Sequence, residues 1–425
     1  MQTAANPSYL QQSDKLLCLL MPFFLLVDCV NGALLQLYGS SYGLAILYKS
    51  ILLTAMALVA IQQQPKWMWG LLLILTAMLI GPSLHWQGLP QRWLLADLQL
   101  AVKVLSPLLA LLYLSDFVKR APQQAQQLLT NSLQVSVVVL LLNALAGLMG
   151  FGFTAYQPLE GVAQSFLGIK GFFYSTNELS AVLLVITAAL LGICWPRNKL
   201  AYVLCSSIAL LLALSLLTKT GLFGVLLLVL LMPLLMQPKV FWHQQKTLLL
   251  MLCAALLVLL LLLLANAEPL LRLLGIYDKL SFVYQQRGIT GIVLSSRDYY
   301  AGQIWQISSV HYTDWQQWLG LGQGGVALHL KKYFAELDWF DLTVFYGVAG
   351  LAAFVMTFAL FIRHSWRQSQ HGVGRVLLLL NLLLLLVSSF AGHILTSGML
   401  WLPWALCNAL LLQSAAVKPI VAEIR

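Results

Sequence analysis

The sequence predicts an all-α polytopic membrane protein of about twelve transmembrane helices, and three observations carry that prediction. Of its 425 residues, 60% are hydrophobic and only 9% are charged, against a charged share of about 25% in soluble domains. Mean hydropathy is +0.85. Apolar stretches of roughly 20 residues recur along the chain, each long enough to cross a hydrocarbon core. A soluble fold of this size could not cover its surface with so few charges. That excludes a water-soluble enzyme, a nucleic-acid-binding domain and a disordered chain.

In chain order the expected spans are 17–36, 42–62, 67–85, 94–114, 132–151, 175–194, 200–217, 221–237, 247–265, 341–362, 375–392 and 396–416. The chain divides accordingly. Residues 1–265 carry nine helices, 266–340 form one large loop with short helices, and 341–425 carry three more helices and a tail. The first apolar run lacks a small-residue cleavage site and is followed by further runs, so it reads as a retained helix. The net charge of +10 comes from basic residues scattered between apolar runs, the pattern of cationic cytoplasmic loops rather than of a nucleic-acid partner. With the N-terminus in the cytoplasm, thirteen Lys and Arg fall on the inner side, among them Lys66, Lys119, Arg363 and Arg367. The short outer loops hold three: Arg92, Lys170 and Lys219. Both termini are therefore expected inside and segment 266–340 outside. The six cysteines form no CxxC pair and lie in or beside apolar runs, so they read as buried thiols.

Lys49, Asp97 and Lys103 lie deep in expected spans, with Asp28 nearer the outer half of its own. Buried charges of this kind form an interhelical pair or face a polar cavity. Asp97 and Lys103, six apart, do not share a helix face well.

Segment 266–340 holds twelve charged residues, four tryptophans and six tyrosines. A loop of that length in a compact protein is usually functional. Trp315 and Trp318 suit the membrane interface, or an aromatic groove for a sugar. The cluster Gly320-Leu321-Gly322-Gln323-Gly324-Gly325 has no following GK[ST] and is not a P-loop. It reads as a hinge, or as a turn that brings backbone N–H groups to a ligand.

Four polar motifs fall at the outer ends of spans. They are Gly168 to Glu178, Thr218-Lys219-Thr220-Gly221, Ser295-Ser296-Arg297-Asp298, and Glu336-Leu337-Asp338-Trp339-Phe340-Asp341 with Tyr346-Gly347 beyond it. Lys170, Lys219 and Arg297 at one depth suit a diphosphate, Arg by a bidentate fork and Lys as a point charge. Glu336, Asp338 and Asp341 supply carboxylates, and a carboxylate beside a desolvated pocket can act as a general base. Asp338 and Asp341 share a helix face while Glu336 points elsewhere. Taken singly, each of these residues also reads as an interfacial charge. The seven histidines show no metal-ligand spacing, so neither metal nor cofactor is expected. His329, near Glu336, is the one histidine to test for chemistry, against a surface role. GxSxG is absent.

With these residues in place, the chain resembles the O-antigen polymerase and O-antigen ligase superfamily of bacterial integral membrane glycosyltransferases. The resemblance covers most of the chain in topology, many spans with one large late periplasmic loop, a GT-C-like arrangement. In motifs it rests on Tyr174-Ser175-Thr176-Asn177-Glu178-Leu179, on Leu217-Thr218-Lys219-Thr220-Gly221, and on the ordered series Ser295 to Asp298, Gly320-Leu321-Gly322, Glu336 to Asp341 and Tyr346-Gly347. It implies a multi-pass enzyme of the bacterial inner membrane. The enzyme would join undecaprenyl-diphosphate-linked glycans, donor and acceptor, beside membrane lipid, with a chain-length regulator as a candidate partner. An acceptor hydroxyl attacks the anomeric carbon and the lipid diphosphate leaves. On this reading Arg297 and Lys219, then Lys170, contact the diphosphate. Glu336 is the first choice for base and Asp338 the second. Asn177, Glu178, Asp298, His329, Asp341 and Tyr346 are further substrate-binding candidates. Ligases of the superfamily carry a His where this chain has Glu336-Leu337-Asp338, a departure that favours a polymerase over a ligase. A lipid-linked oligosaccharide transporter is the alternative from another class.

Overall fold

A computed structural model describes residues 7–40, 42–85, 88–155, 168–237, 265–273 and 277–416, with isolated positions between 241 and 262. Among the described residues, nine helices are long and apolar enough to cross a membrane. The first span is compound. Helix α1 (Pro7–Leu20) passes through a 3-10 turn at Met21–Phe23 into α2 (Phe24–Tyr38), and Pro22, which has no N–H to give, sits in that turn. There follow α3 (Leu44–Gln63), α4 (Pro65–His85), α5 (Gln91–Arg120), α6 (Pro122–Leu148), α7 (Thr176–Arg197), α8 (Lys199–Leu216) and α9 (Lys219–Leu235). Between α6 and α7 the strands β1 (Phe153–Thr154) and β2 (Ile169–Gly171) pair antiparallel. The expected span 247–265 and Cys253 fall largely outside the described residues.

The large loop is helical. It contains α10 (Ala267–Leu273), α11 (Tyr277–Leu294), α12 (Arg297–His311), α13 (Asp314–Leu319) and α14 (Gly322–Ala327), and it leads into α15 (Asp338–Arg367), α16 (Gly372–Phe390) and α17 (Trp401–Ala416). Several boundaries differ from the expectation: α1 and α6 each begin ten residues early, at Pro7 and Pro122, and α5 runs six residues further, to Arg120. Helix α15 begins at Asp338, three residues early. The last helix begins at Trp401 rather than near 396, because residues 391–400 form a loop whose N–H groups are taken by carboxylates. The N–H of His393, Ile394 and Leu395 donate to Asp338, and that of Gly398 to Glu178.

The polar partners of Asp97 lie on other helices, as its six-residue spacing from Lys103 implies. Asp97 accepts the backbone N–H of Gln323 at 2.8 Å, and its own carbonyl accepts the Tyr346 hydroxyl at 2.7 Å. It thereby ties the glycine cluster and the start of α15 to α5. The first helical turn of the cluster is capped from within the protein. Asp28 pairs with Lys49 at 2.5 Å. The buried centre of α15, α16 and α17 is joined by a satisfied polar network. Asn381 donates to the Phe361 carbonyl and to Asn408 Oδ1, and accepts from the Trp404 indole N–H at 2.7 Å. In an apolar solvent such a network fixes the mutual register of three helices, since every group it frees would lack a partner.

Candidate functional site

Three long helices start at one place. Helix α7 opens on Ser175, whose hydroxyl accepts the Glu178 N–H. Helix α9 opens on Thr218, whose hydroxyl accepts the Gly221 N–H at 3.2 Å. Helix α12 opens at Arg297 after Ser296. A cavity of about 330 Å³ lies among these starts, lined by Asn177, Lys219, Arg297, Glu336 and His393 together with first-turn hydroxyls. Each helix start presents unpaired N–H groups and roughly half a positive charge. With Lys219 and Arg297 added, the cavity is built to hold an anion.

The backbone around it is strained. Leu217, Ser295, Ser296, Glu336 and His393 all have positive φ, and among the described residues Tyr42 is the one other non-glycine that does. Left-handed side-chain-bearing residues cost about 1 kcal/mol or more and persist where the surroundings over-determine them.

Two aspartates do that here. Asp341 accepts the N–H groups of Ala335, Glu336 and Leu337 at 2.8, 2.9 and 3.2 Å. Asp338 accepts the Ser388 and Thr396 hydroxyls and the N–H groups of His393, Ile394 and Leu395. The i, i+3 spacing at the start of α15 thus clamps the two loops that carry Glu336 and His393. The loops also touch directly. Gly392 has φ +62, and a Cβ there would lie 2.1 Å from the Glu336 carbonyl oxygen, so no side chain fits.

Arg297 is 7% exposed. It donates from Nη2 to Glu336 Oε2 at 3.2 Å and from Nη1 to the Leu294 carbonyl at 3.2 Å. Its Nε–H is buried without a hydrogen-bond partner. Lys332 reaches the other Glu336 oxygen at 3.3 Å. Burial raises the Glu336 carboxyl, but the fields of His393, Lys332 and Arg297 outweigh it and hold the group below its ordinary value. Glu336 is therefore ionised at neutral pH and able to accept a proton. Lys219 donates to Ser295 Oγ at 3.3 Å and to the Ile292 carbonyl.

The other expected site residues lie elsewhere. Asp338 is 1% exposed and saturated with donors, so it positions the site and is no candidate base. Asp341 has the same role. Glu178 lies one turn into α7 and clamps Ser397 and Gly398. Lys170 sits over the Phe153 and Tyr174 rings and does not line the cavity. Asp298 is exposed. His329 stacks on His311 at 4.0 Å, and Tyr346 is spent on Asp97. Sequence reasoning missed His393. The signal was available in Gly392-His393-Ile394-Leu395-Thr396-Ser397-Gly398, a glycine-bracketed polar break at the outer end of the last expected span.

Among the described residues, no group of three His, Cys, Asp or Glu could hold a metal ion. No protein-family model, curated protein or solved structure matches the chain.

Proposed function

We propose that the protein is a glycosyltransferase that polymerises undecaprenyl-diphosphate-linked repeat units at the outer face of a bacterial inner membrane. The observation that carries this reading is the single cavity joining a diphosphate-sized cationic cradle to an ionised carboxylate. The donor diphosphate accepts from Arg297, from Lys219 and from the helix starts at 176, 219 and 297. The acceptor hydroxyl sits beside Glu336. Its oxygen forms the new bond to the anomeric carbon, Glu336 takes the proton, and the bond from the anomeric carbon to the phosphate oxygen breaks. The electron pair leaves on the lipid diphosphate, where the cationic cradle stabilises the growing charge. An apolar cavity of about 370 Å³ lined by Trp305, Trp318, Val348 and Leu351 lies near the start of α15 and suits the polyprenyl chain.

A ligase using the same donor is the second reading. His393 supports it, since it supplies to the cavity the residue type that the resemblance associates with ligases. A strain lacking the gene, complemented with wild type or Arg297→Ala, separates the readings on a gel of surface and lipid-linked glycans. Loss of the long ladder with single units still surfacing supports the polymerase. Loss of all surface units with long lipid-linked polymer accumulating supports the ligase. An unchanged pattern removes both and favours a transporter.

A further inference from the structure

A second cavity, of about 500 Å³, lies between α4, α5 and the far end of α15. Helix α15 breaks at Gly347, where φ is 59° and ψ is -144°, and then runs on for twenty residues to Arg367, a rise of about 30 Å. The two cavities therefore lie at opposite ends of α15, separated by about the thickness of a hydrocarbon core. The depth of the second is apolar, formed by Leu71, Ile74, Leu108, Met356 and Leu360, and its mouth carries Lys119, Arg363 and Arg367. All three cations are exposed. Arg363 and Arg367 are one turn apart on α15, and Lys119 lies in the last turn of α5. The nearby carboxylates do not neutralise them, because Asp14 and Asp116 are both bound to Arg120. Trp67 flanks the groove and is 56% exposed, the placement of an interfacial anchor. Gly70 leaves room in the wall, since a Cβ there would meet nothing within 4 Å.

We propose that this groove binds an anionic phospholipid, with an acyl chain between α4, α5 and α15 and the headgroup phosphate on Lys119, Arg363 and Arg367. A soluble anion would need its cations within the cavity, where this groove is apolar. A zwitterionic lipid would gain nothing from three clustered positive charges. Basic rims over interhelical clefts on the inner side of a membrane are a recurrent means of selecting anionic headgroups. The site is independent of the chemistry at the other end.

The test uses the purified full chain in detergent, titrated with phosphatidylglycerol or with phosphatidylcholine of the same chains, and reads bound lipid by native mass spectrometry. Wild type should retain phosphatidylglycerol at least about tenfold better, since each cation near the surface contributes about fivefold. Arg363→Gln with Arg367→Gln should cut the preference to about fivefold or less, the share left to Lys119. Gly70→Phe, which fills the groove without meeting the backbone, should reduce retention of both lipids while thermal unfolding of the lipid-free protein stays unchanged. Equal retention of the two lipids by wild type would overturn the proposal. So would full retention by Gly70→Phe, or displacement of the bound lipid by inorganic phosphate alone.

Discussion

At its start α15 carries Asp338 and Asp341, buried and each holding several donors. At its end it carries Arg363 and Arg367, exposed at the rim of an apolar groove. The first end is rigid, and its side-chain-bearing residues sit in left-handed conformations over a polar cavity. The second is ordinary helix beside an apolar one. Chemistry at a single bond needs groups held to within a fraction of an ångström. Holding a lipid needs only an apolar cleft and charge at the right depth.

The comparison is most exposed to substitution of the clamps. Asp338→Ala strands five donors, several of them buried backbone N–H groups. At about 1–3 kcal/mol for each buried group left unsatisfied, the loss should be on the order of 4 kcal/mol or more, read as a large fall in Tm. Arg363→Ala should move Tm by no more than about 0.5 kcal/mol equivalent. Similar falls at both ends would erase the distinction.

The next effect in size is on activity. Glu336→Gln should cost about 10²- to 10⁴-fold in turnover, the range for a general base, with a smaller loss of Tm than Asp338→Ala. A pH profile then asks which group is the base. A carboxyl held below its unfolded value contributes stability that is full above that value and is lost as pH falls through the folded one. Glu336 is held low, so activity should persist down through the ordinary carboxyl range and fail only below it, while its share of stability declines from the ordinary value downward. An acid limb well above the ordinary carboxyl range would contradict Glu336 as the base. The smallest effect is that of Lys219→Ala. The side chain is exposed, and an exposed charge contact is weak, so a loss of about tenfold or less in kcat/KM is expected.

Much of the fold was legible in the sequence, because an apolar helix in lipid satisfies its own backbone and its length is set by the bilayer. The boundary at 396 was not legible. Residues 396–400 read as the start of the last span, and they join the loop because Asp338 and Glu178, both far earlier in the chain, take its N–H groups. For the site, outer-end placement and charge brought Arg297, Lys219, Asn177 and Glu336 to one cavity. Composition could not divide three neighbouring carboxylates between cavity and clamp. That division depends on which of them faces the cavity, and the left-handed turn at Glu336 decides it. His393 was missed for the same reason, since its position is fixed by a distant acceptor rather than by its own neighbours.

The central claim, that the strained cavity makes glycosidic bonds with Glu336 as base, is tested most directly in proteoliposomes. They would hold purified protein and one undecaprenyl-diphosphate-linked oligosaccharide repeat unit as sole substrate. Wild type should yield glycans lengthened by whole repeats with release of undecaprenyl diphosphate, and Glu336→Gln should yield neither above background. Polymer made at the wild-type rate by Glu336→Gln would contradict the account, as would oligosaccharide moved across the bilayer with no new glycosidic bond.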